Sequence, residues 1–375
     1  MTTAVRVKGA RKTNVDRFLT LIRIVLIGVI TIGLLAFVAQ QIDPGNPFAD
    51  WTHGDKDANS LSGAAFKGLV VSGLSTGAMY GLIALGYSMV YGVLGFINFA
   101  HGEVFMVGGF TAWIASNKLD EAGLWNTDGF ILSLVFVIIL ATFMSAFTAL
   151  LMERVAYRKL RGAPRLIPLI TSIGVSFFLQ NASILLFGPG AKSYPRNPDW
   201  LTERRTFLNI EVSKLLVIVV AALAMAGLWY IVERTRTGKA MRAVAEDKEI
   251  ASLMGINVNR TIVTTFAVGG AMAGVAGVMW GLLFPRVIAT MGFLPGIKAF
   301  TAAVVGGVGN LGGAMAGGVA LGSAESLAPL MLLEPLGIDG ASQLKDAVSF
   351  TLLILVLLVK PTGLFGERLS SEDRA

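Results

Sequence analysis

The sequence predicts an all-α fold, a polytopic integral membrane helical bundle with discontinuous membrane segments. Three observations carry that prediction. Of 375 residues, 54% are hydrophobic and only 15% charged, whereas a soluble domain carries roughly 25% charged residues. The apolar residues gather into runs of about 20, the length that crosses a ~30 Å hydrocarbon core. Basic clusters at 6–17, 154–165, 234–260 and 360–374 hold 19 of the 31 Lys and Arg and sit between those runs, as cytoplasmic loops do. The net charge of +7 therefore reports membrane topology rather than nucleic-acid binding, and membrane lipid is the partner that composition itself demands. The 44 glycines lie mostly inside apolar runs with no Gly-X-Y period, which excludes collagen.

Spans are expected at about 18–39, 66–94, 129–151, 167–187, 214–232, 262–284 and 343–359. The first is too long for the 7–15-residue apolar region of a signal peptide and lacks a small-residue cleavage site, so it reads as a retained helix. With the N-terminus inside, parity demands one more crossing before 129–151, and Val104 to Ser116 supplies it although it is short. Parity also makes 295–328 enter and leave on the same outer side. A helical hairpin broken at Gly306-Gly307-Val308-Gly309-Asn310-Leu311-Gly312-Gly313 fits.

Two regions are thus discontinuous. One is 86–116, broken around Asn98-Phe99-Ala100-His101-Gly102-Glu103, and the other is 295–328. Interrupted segments in the two halves of a chain point to a transport pathway, because freed backbone groups are tolerated only where protein or water satisfies them. Asn98, His101, Glu103, Gly306, Gly307 and Gly309 are the pathway candidates. The competing readings are close packing through small residues for the glycines and local hydrogen bonding at a helix break for Asn98, His101 and Glu103.

On the cytoplasmic side, Met241, Val244, Ile250, Leu253 and Met254 recur at helical spacing and predict one amphipathic helix stopped by Gly255. Glu246, Asp247 and Glu249 would repel anionic headgroups, so the helix is expected to dock on a soluble partner. In the outer loop 188–213, Lys192, Arg196, Arg204 and Arg205, with Lys214 just beyond, are candidates to receive an acidic patch of a binding protein. Trp113 and Trp229-Tyr230 read as interfacial anchors.

No catalytic, metal or cofactor site is expected. Cysteine is absent, and the two histidines, His53 and His101, are far apart in sequence. The Gly-Lys pair at Gly238-Lys239 is followed by Ala240, so the phosphate-cradling loop pattern is missing and energy must come from a partner or an ion gradient. Glu103, Lys298 and Glu325 lie near segment ends or breaks and leave the spans nearly uncharged, which disfavours a proton-coupled carrier and a membrane-embedded enzyme.

The stretch from Gly73 to Glu103, with Ile97-Asn98-Phe99-Ala100-His101-Gly102-Glu103 its most specific part, closely resembles the opening of branched-chain amino-acid permeases of bacterial ABC importers, LivH-type. Glu153-Arg-Val-Ala-Tyr-Arg-Lys-Leu-Arg161, Leu169-Ile-Thr-Ser-Ile-Gly174, Phe178-Leu-Gln-Asn181, Ala243 to Asn257 and the run from Ala302 to Gly313 extend the match over about 66–366. The resemblance implies an inner-membrane importer subunit; that both termini are cytoplasmic is expected from the basic clusters and the parity of the spans. The subunit would pair with a second permease subunit, two ATP-binding cassette subunits and an extracytoplasmic solute-binding protein. The resemblance also implies that 239–257 is the coupling loop, with Glu246, Ala251 and Gly255 at matching positions and Asp247 beside them. Residues 1–65 then form an N-terminal extension, 66–366 the transmembrane domain and 367–375 a cytoplasmic tail. Permeases for urea or short amides resemble the same family, and an ion-coupled secondary carrier is the alternative outside it.

Overall fold

The computed structural model describes residues 20, 27–28, 30–35, 37–38, 63–126, 129–164, 166–202, 204–205, 210–333 and 340–366. The loop of the N-terminal extension and the tail 367–375 lie outside these residues. The described positions between 27 and 38 are helical, and a Cβ on Gly33 would stand 2.7 Å from the Leu332 carbonyl, so the first expected span packs onto the bundle.

Seven helical stretches among the described residues are long and apolar enough to cross a membrane. In chain order the helices are α1 (Gly63–Leu94), α2 (His101–Glu121), α3 (Phe130–Met152), α4 (Leu166–Phe187), α5 (Asp199–Thr202), α6 (Val212–Arg234), α7 (Arg236–Glu246), α8 (Lys248–Leu253), α9 (Val258–Leu283), α10 (Phe293–Gly306), α11 (Leu311–Ala328) and α12 (Lys345–Val359). A π-helical turn, Glu153–Tyr157, and a 3₁₀ turn, Arg158–Leu160, prolong α3, and another π-helical turn, Pro329–Leu333, prolongs α11. The most apolar windows of α1 and α9 are 61% and 67% buried. These two helices are the centre of the bundle, and the others surround them with apolar faces turned outward.

Small residues let the centre close. A Cβ on Gly77 would lie 2.8 Å from the Gly318 carbonyl, and one on Gly73 would lie 2.9 Å from Ser323 Cα, so α1 and α11 touch backbone to backbone. Without a hydrophobic driving force between helices in lipid, such close approach supplies the packing energy. Gly322→Ala would drive its methyl into Gly77. Overpacking of this kind costs about 1–3 kcal/mol, so the solubilised protein should melt at a lower temperature. Gly227→Ala, whose Cβ meets nothing within 4 Å, should not lower it.

Three expectations are refined. The stretch Val104 to Ser116 lies within the 21-residue α2, which is not one of the seven apolar stretches and starts deep, because His101 lies against Gly86, roughly 12 Å short of the α1 end at Leu94 on helical rise. The hairpin is unequal, a 14-residue α10 followed by a 23-residue stretch, 311–333. The amphipathic helix is two helices broken at Asp247, and its apolar positions separate, as described below.

One end of the bundle collects α7, α8, the end of α1 and the α10–α11 turn. Lys248 Nζ donates to the Leu94 carbonyl at 3.2 Å, and the chain after α12 returns to hydrogen-bond Val305 and Gly306 through Leu364 and Phe365. The opposite end is tied by β1 (Lys192–Ser193) paired antiparallel with β4 (Arg286–Val287); a second small pairing joins β2 (Arg204–Arg205) and β3 (Ile210–Glu211). Trp113 does more than sit at an interface. Its indole donates to the Ser193 carbonyl at 3.0 Å and anchors this loop, while Trp229 and Tyr230 stay exposed.

Candidate translocation and coupling sites

The first break is a polar knot. Gly95 leaves α1 with φ +78°, and the chain folds back into the bundle. Asn98 Oδ1 then accepts from the Ala100 amide at 3.1 Å and from the Tyr157 hydroxyl at 2.7 Å, which sets the turn before α2. His101 is buried, its ring edge-on to Tyr87 at 4.9 Å, and only the missing side chain of Gly86 leaves room for it.

Glu103 stands in the first turn of α2 and is 1% exposed. Its Oε1 accepts from Gln180 Nε2 at 2.7 Å and from Ser176 Oγ at 3.0 Å, both on α4. Its Oε2 is buried without a hydrogen-bond partner among the described residues, as is His101 Nε2. Oε2 faces Gly292, and Gly102 packs against Gly292 and Gly296. The N-termini of α2 and α10 therefore meet inside the bundle with one carboxylate between them, where both helix dipoles favour negative charge.

Sequence reasoning located the 98–103 break but not these partners. The buried face of α4 is Ser172, Ser176, Gln180 and Ser183, a polar stripe at helical spacing within an apolar span, and that stripe is the signal that was available. The α10 side was signalled by Gly292-Phe293-Leu294-Pro295-Gly296, a glycine with a proline shortly beyond it at a helix start.

The glycines 306–309 do not join this knot. Gly306 packs against Gly313, Gly307 (φ +111°) against Gly366, and Gly309 (φ +92°) donates its amide to Ser88 Oγ at 2.9 Å. Gly86 and Ser88 point about 200° apart around α1, so the two breaks touch opposite faces of that helix.

A second buried cluster corrects the picture of nearly uncharged spans. Lys298 of α10 pairs with Glu325 of α11 at 2.7 Å and with the half-exposed Asp346 of α12 at 2.6 Å. Glu325 also accepts from the Tyr80 hydroxyl at 3.1 Å and from Ser349. The charges are inside because the hairpin brings α10 and α11 side by side, and each finds its opposite there.

At the other candidate site, α7 is capped by Thr235, whose Oγ1 accepts from Gly238 N at 3.1 Å. Met241 and Val244 are buried against the bundle. Asp247 caps α8, accepting from the Glu249 and Ile250 amides at 2.7 and 2.9 Å, and Gly255 ends it at φ +81°. Ala251 is buried, yet Ile250, Leu253 and Met254 are 60%, 87% and 78% exposed. Glu246, Asp247 and Glu249 ring this apolar surface. In the opposite loop, Arg196 pairs with Asp199 and Lys214 with Glu211, and the side chains of Arg204 and Arg205 lie outside the described residues.

Broken helices meeting in a membrane bundle, with a separate exposed helix at one end, define a membrane transport protein. The family model described as the permease component of branched-chain amino acid transport systems matches residues 69–357, and the chain belongs to that family. It is 46% identical over 301 residues, 79% of this chain and 94% of the other, to the high-affinity branched-chain amino acid transport system permease protein BraD of Pseudomonas aeruginosa. It is 43% identical over the same shares to the permease protein LivH of the corresponding system in Escherichia coli. A shorter stretch of 98 residues, 26% of this chain and 27% of the other, is 36% identical to the fructose import permease protein FrcC of Rhizobium meliloti.

Proposed function

We propose that the chain is the membrane-spanning subunit of an ATP-driven importer for leucine, isoleucine and valine. The observation that carries this reading is the near full-length similarity to BraD and LivH, both named as permeases of high-affinity branched-chain amino acid systems. The chain would work beside a second permease subunit, two ATP-binding cassette subunits and an extracytoplasmic solute-binding protein, in a bacterial inner membrane with both termini cytoplasmic. It does no covalent chemistry in this scheme.

Glu246, Asp247, Ala251 and Gly255 shape the coupling element that receives the ATPase, and the exposed side chains of α8 make the contact. Lys248 ties α8 to the last carbonyl of α1, next to the first break. Movement of α8 thus has a short mechanical route to Asn98, His101 and Glu103, which line or shape the path where α2 and α10 meet. Gly306, Gly307 and Gly309 act at the turn of the neighbouring hairpin. Glu103→Ala should reduce uptake of labelled leucine to background at normal membrane abundance, and Glu103→Gln, which keeps an acceptor for α4, should keep part of it. Uptake driven by an ion gradient without ATP, or competed by urea and not by leucine, would reject the reading.

A further inference from the structure

Where α3 ends and α9 begins, a cleft of about 450 Å³ is lined by Arg158, Arg161, Asn257, Asn259, Arg260 and Val263. One buried carboxylate sets its charge balance. Glu153 receives Arg158 at 2.8 Å and also Arg161, and Arg161 reaches across to Asn259. Three guanidinium groups against one carboxylate leave a surplus of two positive charges on a surface whose other polar groups are the amides of Asn257 and Asn259. Arg158 spends Nε and Nη2 on Glu153, and Arg161 is engaged by Glu153 and Asn259, so the whole fork open among the described residues is that of Arg260. A guanidinium fork with amide donors beside it, in a field of surplus positive charge, matches a phosphate.

The surroundings decide where that phosphate comes from. Helix α3 runs 23 residues to Met152, about 35 Å at 1.5 Å per residue, so the cleft opens at headgroup depth once a ~30 Å hydrocarbon core has been crossed. Phe143, Phe147, Leu151 and Val155 are all exposed and follow one another at four-residue steps, a continuous apolar column that leads to Arg158. An acyl chain can lie along such a column, whereas a free anion or an acidic protein surface gains nothing from it. Basic pockets between membrane helices are suited to anionic headgroups. We propose that this cleft binds the phosphate headgroup of an anionic phospholipid, with an acyl chain along the α3 column.

The test uses the full chain solubilised in mild detergent with the subunits that accompany it. It is offered cardiolipin or phosphatidylethanolamine in mixed micelles, and native mass spectrometry counts the lipid retained. Wild type should prefer cardiolipin. Each arginine near a membrane surface contributes enough that R260Q should weaken retention about 5-fold and R158Q/R260Q roughly 30-fold, with R158K/R260K restoring most of it. If R158Q/R260Q melts early, R260Q alone carries the test, because Arg260 is exposed and its side chain has no hydrogen bond or ion pair among the described residues. Equal retention of the two lipids by wild type, or unchanged retention by R260Q, overturns the proposal. Displacement of cardiolipin by inorganic phosphate at matched concentration would mark a free-anion site instead. Loss of the ATPase subunits from R158Q/R260Q with lipid retention intact would mark a protein interface. Either result also overturns it.

Discussion

On the proposed importer reading, replacing Leu253 and Met254 with aspartate is expected to release the ATPase subunits while leaving the bundle intact. Both side chains are almost wholly exposed, and Ala251 is the buried residue that seats α8 on the protein, so the substitution removes little folding energy. What it removes is interface. Fully burying one such side chain contributes about 1.5–3 kcal/mol, so the pair contributes at least ~3 kcal/mol, about a hundredfold in affinity. Adding two negative charges to a surface that already carries Glu246, Asp247 and Glu249 makes the loss larger wherever the partner groove is apolar. Recovery of ATPase subunits with the tagged permease should fall to background, together with leucine uptake, at unchanged membrane abundance. Full recovery of the subunits together with normal leucine uptake would show that α8 does not dock on them. Normal recovery with lost uptake would place the residues in force transmission and not in attachment.

Much of the fold was legible because membrane spans announce themselves by length. The expected 129–151, 167–187, 214–232 and 262–284 reappear as α3, α4, α6 and α9 within a few residues. The first break was legible because Asn98, His101 and Glu103 interrupt an apolar run. The inward face of each helix was not. In water the apolar stripe points inward, but α4 buries its serines and Gln180 and turns Ile170, Phe177 and Phe178 outward. The single amphipathic helix failed for a local reason. Asp247 reads equally well as a helix interior residue or an N-cap, and here it caps, so Ile250, Leu253 and Met254 leave the face shared by Met241 and Val244. The meeting of Gly292 with Glu103, and of Lys298 with Glu325, depends on tertiary folding of residues far apart in sequence.

Lys298→Met should be among the most destabilising single changes in the bundle. The substitution leaves Glu325 5% exposed among Tyr80 and Ser349 with its cation gone, while Asp346 can turn to solvent. Breaking a buried ion pair by removing one partner costs about 3–5 kcal/mol, more than loss of a typical hydrogen bond, because a charge remains in a medium that cannot solvate it. The cost has a diagnostic remedy. Adding Glu325→Gln to Lys298→Met removes the stranded charge, and the amide oxygen still accepts from the Tyr80 and Ser349 hydroxyls. The double variant should recover most of the melting temperature lost by the single one. A single variant as stable as wild type would mean that the four helices α1, α10, α11 and α12 are held by packing alone. A double variant as damaged as the single would locate the cost in the lost lysine packing and not in unpaired charge. Recovery of stability without recovery of leucine uptake would show that the transport cycle requires the charges themselves, beyond their part in folding.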